Sequence, residues 1–177
     1  MEFNLQEAIE ILSRTPKILR DLLDGLDDKW VNYKKREDAF SPSEVVGHLI
    51  AGEQTDWIPR TKIMLKEEGY KEFPPFNRES SGEVLSVEER LDLFESLRAE
   101  NIETLKVSVT EKDFERTGIH PEFGEVSLQQ HLATWVVHDL THLFQIIESF
   151  ALRYKNTVGP WIEYLRILNI KIKKLTV

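Results

Sequence analysis

Apolar residues recur at spacings of three, four and seven along most of this 177-residue chain. That is the period of an α-helix packed on one face, whereas a strand would show alternation. The first stripe predicts a helix from about Asn4 to Leu26, with a kink at Pro16 because proline removes a backbone donor. Strand patterns are weak throughout. The sequence therefore predicts an all-α fold in a single domain spanning 1–177.

Capping sequences divide the rest of the chain into helices. The run Ser-Pro-Ser-Glu at 41–44 has a serine cap, a proline in the first turn and a glutamate that closes a capping box. One predicted helix runs from 42 to about 68, with a bend at Pro59, and the next begins after Ser86. A further helix runs from Ser127 to about Tyr154, and a last amphipathic helix covers 160–174. Residues 110–125 are predicted to form turns. The loop 69–85 is longer than a bundle connection needs, so it is a candidate cover for a pocket.

Charge and composition narrow the classes of function. The net charge of −8 argues against a nucleic-acid binder, because phosphate binding requires a basic surface. The chain has no cysteine, so a metal would have to be held by histidine, aspartate or glutamate. No apolar run approaches the length of a membrane span, and the N-terminus lacks the features of a secretory signal. These features predict a cytoplasmic protein that binds neither nucleic acid nor membranes.

The fourth predicted helix carries an unusual polar face. His138 and His142 lie one turn apart on it, so both imidazoles can reach one ion. His131, Trp135 and Gln145 extend this face at positions where a bundle helix usually has leucine or isoleucine. The neighbouring face is predicted to supply the core and consists of Leu132, Val136, Leu140, Leu143 and Ile147.

A further histidine lies in the second predicted helix. His48 is surrounded by valine, leucine and isoleucine, which predicts that it faces inward. Gly52 follows one turn later on the same face and leaves room beside the imidazole. Three imidazoles from two helices would leave one or more coordination positions open, which is typical of a catalytic rather than a structural metal site.

Spacing alone leaves other interpretations open. Paired histidines also occur as core residues with satisfied hydrogen bonds, and the motif here lacks the glutamate of the zinc proteases. Asp139 points about 100° away from His138, so it is predicted to pair with a neighbouring helix. Trp57 and Trp135 are candidate apolar walls of a pocket, and Thr55 and Gln145 are candidates for hydrogen bonds to a ligand or a substrate. Core packing also explains Trp57, and helix capping also explains Thr55. Arg60 is a candidate for binding an anionic group, but a solvated surface position is the simpler interpretation.

Three segments together resemble one known family, the DinB-like superfamily of four-helix metalloenzymes. They are SPSEVVGHLIAGE at 41–53, HPEFGEVSLQQHLATWVVHDLTHLFQI at 120–146, and Gly159-Pro160-Trp161 with the following Tyr164-Leu165. The resemblance covers most of the chain, and a lone histidine followed by HDxxH is specific in combination. It implies a bundle with up-down-down-up topology, to which the periodicity adds a C-terminal helix.

The resemblance also implies one divalent metal ion, zinc or nickel, bound by His48, His138 and His142. His131 matches no ligand of the family and is interpreted as a pocket or packing residue. No role is assigned to His120.

Characterised relatives imply an enzyme with a small-molecule substrate. The leading hypothesis is a metal-dependent S-transferase that uses a low-molecular-weight thiol of the bacillithiol type, and the HPEFG segment is similar to one in that branch. The alternatives are a metal-dependent hydrolase on the same site and a non-catalytic bundle that binds metal or a partner. A homodimer is also implied, with Trp161, Leu165 and Leu168 as its candidate interface.

Overall fold

The computed structural model describes residues 3–76 and 85–169. Its helices are α1 (Leu5–Leu12), α2 (Thr15–Leu23), α3 (Asp28–Val31), α4 (Pro42–Thr55), α5 (Trp57–Met64), α6 (Val87–Ser108) and α7 (Leu128–Arg153). A hairpin of β1 (Thr117–His120) and β2 (Gly124–Ser127) precedes α7. Four long segments, α1 with α2, α4 with α5, α6, and α7, pack against one another. The predicted four-helix bundle is confirmed.

Reciprocal caps explain why three of these helices begin where they do. At α4 the Ser41 hydroxyl accepts a hydrogen bond from the Glu44 amide, and the Glu44 carboxylate accepts one from the Ser41 amide. The same pattern caps α6 through Ser86 and α7 through Ser127. Each cap satisfies amides that the first turn of a helix leaves unpaired. The three predicted helix starts are therefore confirmed.

Both predicted bends prove to be breaks between separate helices. α1 ends and α2 begins just ahead of Pro16, which lies in the first turn of α2, where its missing amide is not needed. The second long helix breaks at Asp56, and Pro59 again lies in the first turn of the new helix. α5 ends at Met64, which is earlier than the predicted end near residue 68.

Side-chain contacts show that α4 and α6 run in the same direction. Near their starts Arg90 Nη1 donates to the Ser43 carbonyl at 3.4 Å. Further along both helices Arg98 Nη2 donates to Glu53 Oε1 at 2.7 Å. Parallel neighbouring helices cannot be joined by a short turn. This explains why the loop 69–85 is long.

The other helices run opposite to this pair. Between α1 with α2 and α6, Leu12 contacts Arg98 and Arg20 contacts Asp92. Between α4 and α7, His48 contacts His138 and Glu53 contacts Trp135. In each set the residue number rises along one helix while it falls along the other. The topology is therefore up-down-down-up, as the resemblance implies.

Two apolar clusters fill the bundle. The cluster nearer the hairpin consists of Ile9, Leu12, Trp57, Ile58, Met64, Phe73, Ile102, Leu105, Val109, Leu128, Leu132 and Trp135. The other consists of Leu19, Leu23, Val31, Val45, Val46, Leu49, Ile50, Leu91, Phe94, Leu143 and Ile146. Three buried charged residues, Glu53, Arg98 and Asp139, fall between the two clusters along α4, α6 and α7. The core is therefore divided by a polar layer.

The hairpin corrects the prediction that residues 110–125 form only turns. β1 and β2 pair antiparallel, with Thr117 opposite Ser127 and His120 opposite Gly124. Four-residue strands are too short to show alternation clearly, which is why the pattern was missed. The hairpin also binds the loop after α5, where the Phe73 amide donates to the Ile119 carbonyl at 2.9 Å.

The C-terminal segment also differs from its prediction. In place of the start of an α-helix, Gly159–Tyr164 and Arg166–Leu168 form 3-10 helices, and residues 170–174 lie outside the described residues. Leu168 is buried in the protein's own fold, whereas Trp161 is exposed. Of the proposed interface residues, Leu168 is therefore already covered, and the homodimer stays a prediction.

Two residues of the predicted core on α7 lie at the surface. Leu140 and Ile147 are exposed, while Leu132 and Leu143 are buried as predicted. The core-facing side is shifted because Asp139 takes a buried position on it. Within the described ranges, no helix combines the length and the apolar character needed to cross a membrane.

Candidate metal centre

Three imidazoles from two antiparallel helices meet at one point. His48 Nε2 on α4 lies 3.1 Å from His138 Nε2 on α7, and His142 Nε2 lies 3.2 Å from the same atom. One ligand atom of each residue lies within 4.8 Å of the others, in a group that could hold a metal ion. All three residues are half-buried. The sequence predicted these residues, and the structure brings them together.

The local environment keeps the imidazoles of His138 and His142 neutral. Burial, together with the nearby His142 and His48, lowers the pKa of His138 to about 2. Burial also lowers the pKa of His142, although a hydrogen bond to Gln145 opposes the shift. A neutral imidazole carries one lone pair, which is the form that binds a metal. At neutral pH His138 and His142 are therefore in the form that coordinates a metal.

A hydrogen bond sets the orientation of one ring. His142 Nδ1 lies 2.9 Å from Gln145 Oε1, which can only accept, so Nδ1 carries the proton. The lone pair of His142 is then on Nε2, the atom that faces His138. Gln145 was predicted as a pocket or supporting residue, and the structure places it directly behind the ring.

The spacing of the nitrogens fits a small divalent ion better than it fits hydrogen bonding. Nitrogen ligands about 2.0–2.1 Å from a tetrahedral zinc ion lie about 3.3–3.4 Å from one another. The two distances at His138 Nε2, 3.1 and 3.2 Å, are close to this value. By contrast, one ring nitrogen has either a proton or a lone pair in a single direction, so it cannot bond well to two neighbours. The donor set thus suits a cation between the rings.

Aromatic side chains surround the triad. Phe40 and Phe76 lie 5.6 and 5.5 Å from the His48 ring, measured between centroids. Trp57 lies 5.1 Å from the His138 ring in an edge-on arrangement. Phe76 belongs to the loop 69–85, which supports the expectation that this loop covers the site, although residues 77–84 are outside the described part. The walls beside the rings are therefore largely apolar.

A buried ionic network holds the two helices of the site together. Arg98 of α6 donates to both oxygens of Asp139, at 2.6 and 3.1 Å, and to Glu53 Oε1 at 2.7 Å. Thr15 Oγ1 donates to Asp139 Oδ2 at 2.6 Å, and Asn101 Nδ2 donates to Glu53 Oε2 at 3.0 Å. The network therefore joins α4 and α7 through α6 and α2. The prediction that Asp139 pairs with a neighbouring helix is confirmed.

In this network, burial and ion pairing have opposite effects on the pKa values of Glu53 and Arg98. Burial raises the pKa of Glu53, and Arg98 and Asn101 oppose that shift. Burial alone would lower the pKa of Arg98, but Asp139 and Glu53 outweigh it and raise the value. A guanidinium paired with two carboxylates cannot be replaced by a single-point donor, because the fork geometry is specific to arginine.

Several predicted pocket residues lie away from the triad. His131 is buried, and its Nε2 donates to the Trp57 carbonyl at 2.9 Å, so it is a packing residue. Trp135 is fully buried and donates to Glu53 Oε1 at 3.2 Å. Thr55 is exposed and donates to the Ala51 carbonyl within its own helix.

Arg60 is the clearest correction among these residues. It is 6% exposed and forms a buried ion pair with Asp56, whereas the sequence suggested a solvated position. Its guanidinium also lies 5.1 Å from the centre of the Phe73 ring. The spacing between Asp56 and Arg60 is that of a helical ion pair, and this signal could have indicated the contact.

Sequence reasoning missed Glu53, Arg98, Phe40 and Phe76. Arg98 could have been found, because it occupies a position of the apolar stripe of α6 between Phe94 and Ile102. The two phenylalanines lie in irregular segments, where periodicity gives no information about direction.

Comparisons with known proteins agree with this arrangement. The DinB superfamily model matches residues 11–146. A protein of Geobacillus kaustophilus named "Putative metal-dependent hydrolase" is 30% identical over 80% of this chain and 82% of its own length. A protein of Oceanobacillus iheyensis with the same descriptive name is 25% identical over 80% of this chain and 83% of its own length. Another, from Bacillus licheniformis, is 29% identical over 82% of this chain and 84% of its own length.

A solved structure has the same fold. YfiT from Bacillus subtilis, described as a probable metal-dependent hydrolase with an unusual four-helix bundle topology, superposes with a TM-score of 0.70. The match covers 87% of each chain at 21% identity, which is a likeness of fold. The family model, the relatives and the fold agree, and the chain belongs to the DinB superfamily.

Proposed function

We propose that this protein is a metal-dependent hydrolase of small molecules. The observation that carries the proposal is the convergence of three Nε2 atoms, from His48, His138 and His142, at the spacing of a metal site. The names of the three relatives described above support hydrolysis over the thiol transfer that the sequence suggests. Zinc and nickel both suit three imidazole ligands.

The chemistry of the ion explains why three neutral ligands suit hydrolysis. A divalent ion bound by neutral imidazoles keeps its positive charge, which polarises a carbonyl or phosphoryl oxygen and lowers the pKa of bound water to about 7 in the best-known cases. Ligands without charge preserve this effect, whereas carboxylate ligands would reduce it. Burial of His138 and His142 keeps them in the required form.

The residues around the triad position the ligands. Gln145 fixes the ring of His142 through its Nδ1 proton. Asp139, which follows His138 in α7, is held by Arg98, and this fixes the turn of helix that carries the His138 ring. Such supporting contacts contribute to metal affinity as well as to geometry.

The aromatic walls favour a substrate with an apolar group next to the bond that is cleaved. Phe40, Phe76 and Trp57 all lie within 6 Å of a triad ring, measured between centroids. Apolar walls bind apolar substrate groups and limit the access of bulk water. The negative net charge makes nucleic acid an unsuitable substrate.

The test is turnover of chromogenic esters and amides by zinc-loaded, nickel-loaded and metal-stripped protein, each with and without a low-molecular-weight thiol. A hydrolase turns over substrate without thiol, and stripping abolishes the activity. Turnover that requires thiol would instead establish the S-transferase. Metal bound stoichiometrically without turnover of any substrate would favour the non-catalytic bundle.

A further inference from the structure

The indole of Trp57 carries a buried hydrogen-bond donor, and its ring lies 5.1 Å from the His138 ring between centroids. Trp57 is 3% exposed, and its Nε1 has no hydrogen-bond partner within the described residues. Trp135, stacked on it with 5.5 Å between ring centroids, uses its own Nε1 to donate to Glu53. Buried polar groups in native proteins are almost always paired, so the unpaired donor of Trp57 needs an explanation.

The position of this donor connects it to the metal centre. A Cβ atom added to Gly52 would lie 3.0 Å from Trp57 Nε1, so the N–H group occupies the space that the glycine leaves open. Gly52 is one turn beyond His48 on the same face of α4. The indole and His138 rings also form a T-shaped pair, with 5.1 Å between their centroids. The donor therefore lies on the side of α4 that presents His48.

We propose that Trp57 Nε1–H donates a hydrogen bond to the acceptor atom of a substrate or anion bound at the triad. Gly52, which has no side chain, leaves the space that this N–H group occupies. The inference rests on the proposed metal site. An indole N–H can only donate, so it selects an oxygen or an anionic nitrogen over an amine or a cation. A donor placed in advance in an apolar, partly dry setting costs little reorganisation when charge develops on the acceptor.

This assignment predicts the chemical class of the ligand. The bound group carries an acceptor atom, such as a carbonyl, carboxylate or phosphoryl oxygen, next to an apolar part that packs on Phe40 and Phe76. Thiols lacking such an oxygen would coordinate the ion without using Trp57. The donor thus discriminates between ligand classes rather than contributing equally to all of them.

Azide binding to the cobalt-loaded protein tests the role of the N–H group. Azide accepts hydrogen bonds, and its binding to cobalt is followed by visible absorption. Trp57→Phe keeps an aromatic ring but removes the donor, so we expect azide affinity to fall about tenfold while cobalt stoichiometry stays unchanged. Trp161→Phe, at an exposed position, is the matched control and should bind azide like the wild type.

A second variant tests whether the space beside Gly52 is needed. Gly52→Ala places a methyl group against Trp57 Nε1 and should also weaken azide binding with cobalt still bound. Azide affinity within twofold of wild type in Trp57→Phe, or in Gly52→Ala, would overturn the assignment. Loss of cobalt from Trp57→Phe would overturn it too, because the indole would then support the ligands rather than the bound group. A wild-type protein that binds no cobalt would reject the metal centre itself, which separates the two failures.

Discussion

The Nε2 atoms of His48 and His138 lie 3.1 Å apart, although 90 residues separate them in the chain. Their contact depends on the antiparallel packing of α4 and α7, which is maintained by hydrogen bonds from Trp135 and Arg98 to Glu53. The unfolded chain cannot hold the three imidazoles together at this spacing. Metal binding and folding are therefore thermodynamically linked.

This linkage predicts that metal stabilises the fold. Zinc at a free concentration a hundredfold above its dissociation constant should add about 2.7 kcal/mol to the free energy of unfolding. Thermal denaturation with added zinc, and again after chelation, measures the shift. His142→Ala removes one ligand and should lose most of it. An equal zinc-induced shift in that variant would contradict the proposed ligand set.

Elemental analysis distinguishes ligand histidines from packing histidines on the same helix. His138→Ala should reduce the metal content to well below one ion per chain, because two imidazoles bind far more weakly than three. His131→Gln is the matched control, since an amide can still donate to the Trp57 carbonyl that His131 contacts. It should retain stoichiometric metal. The reverse pattern would exchange the roles of the two residues.

The sequence revealed the helices and the histidines because both follow periodic rules. Capping boxes at Ser41, Ser86 and Ser127 are local, and they predicted helix starts correctly. The pair His138 and His142 is likewise a property of one helix. Such features do not depend on how distant segments meet.

The remaining features depend on tertiary contacts. Burial of Arg98 requires carboxylates from two other helices, and the sequence around Arg98 does not indicate which residues supply them. The hairpin forms where Phe73 packs against Gly118, at which an added Cβ would lie 2.4 Å from the Phe73 ring. Its strands are stabilised by the loop after α5, so their own sequence carries little signal.

The buried His131 predicts a pH dependence of stability. Burial lowers its pKa to about 4 from an ordinary value of 6.5, despite the hydrogen bond to the Trp57 carbonyl. Between these values the unfolded chain binds a proton that the folded chain does not. The stability contributed by this residue is thus complete above about pH 6.5, and roughly 3 kcal/mol is lost as the pH falls to about 4.

An opposing group has to be separated from this effect. Burial raises the pKa of Asp56 to about 6, although Arg60 opposes the shift, so its contribution to stability increases as the pH falls from about 6 toward 3.8. The contribution of Asp56 cancels when the wild type is compared with His131→Gln, because both proteins retain Asp56. Urea denaturation of metal-free protein from pH 7 to 4 should show a smaller loss of stability in the variant. Parallel curves would show that His131 does not titrate as described.

Removal of the buried guanidinium should be far more costly than removal of an exposed one. Arg98→Met leaves Asp139 and Glu53 buried without their cation, which should cost about 3–5 kcal/mol. Arg20→Met is matched, since Arg20 also pairs with two carboxylates, Asp92 and Glu95, but at the surface. That change should cost at most about 1 kcal/mol. Urea denaturation measures both, and similar losses would show that the network contributes no more than surface pairs.

The hydrogen bond behind His142 predicts an effect on metal affinity without loss of a ligand. Gln145 Oε1 accepts from His142 Nδ1 at 2.9 Å, which fixes the tautomer of a ring whose pKa is lowered by burial. Gln145→Leu removes that acceptor, so zinc affinity should fall about ten- to a hundredfold, because supporting contacts of this kind contribute that much.

Competition with a chromogenic chelator measures the zinc affinity of each variant. Gln145→Glu keeps an acceptor at the same position and should retain affinity near that of the wild type. Gln54→Leu changes an exposed glutamine of α4 in the same way and should have no effect. If Gln145→Leu bound zinc as tightly as these two variants, the Nε2 lone pair of His142 would be set by the ion alone, and Gln145 would be only a neighbour of the site.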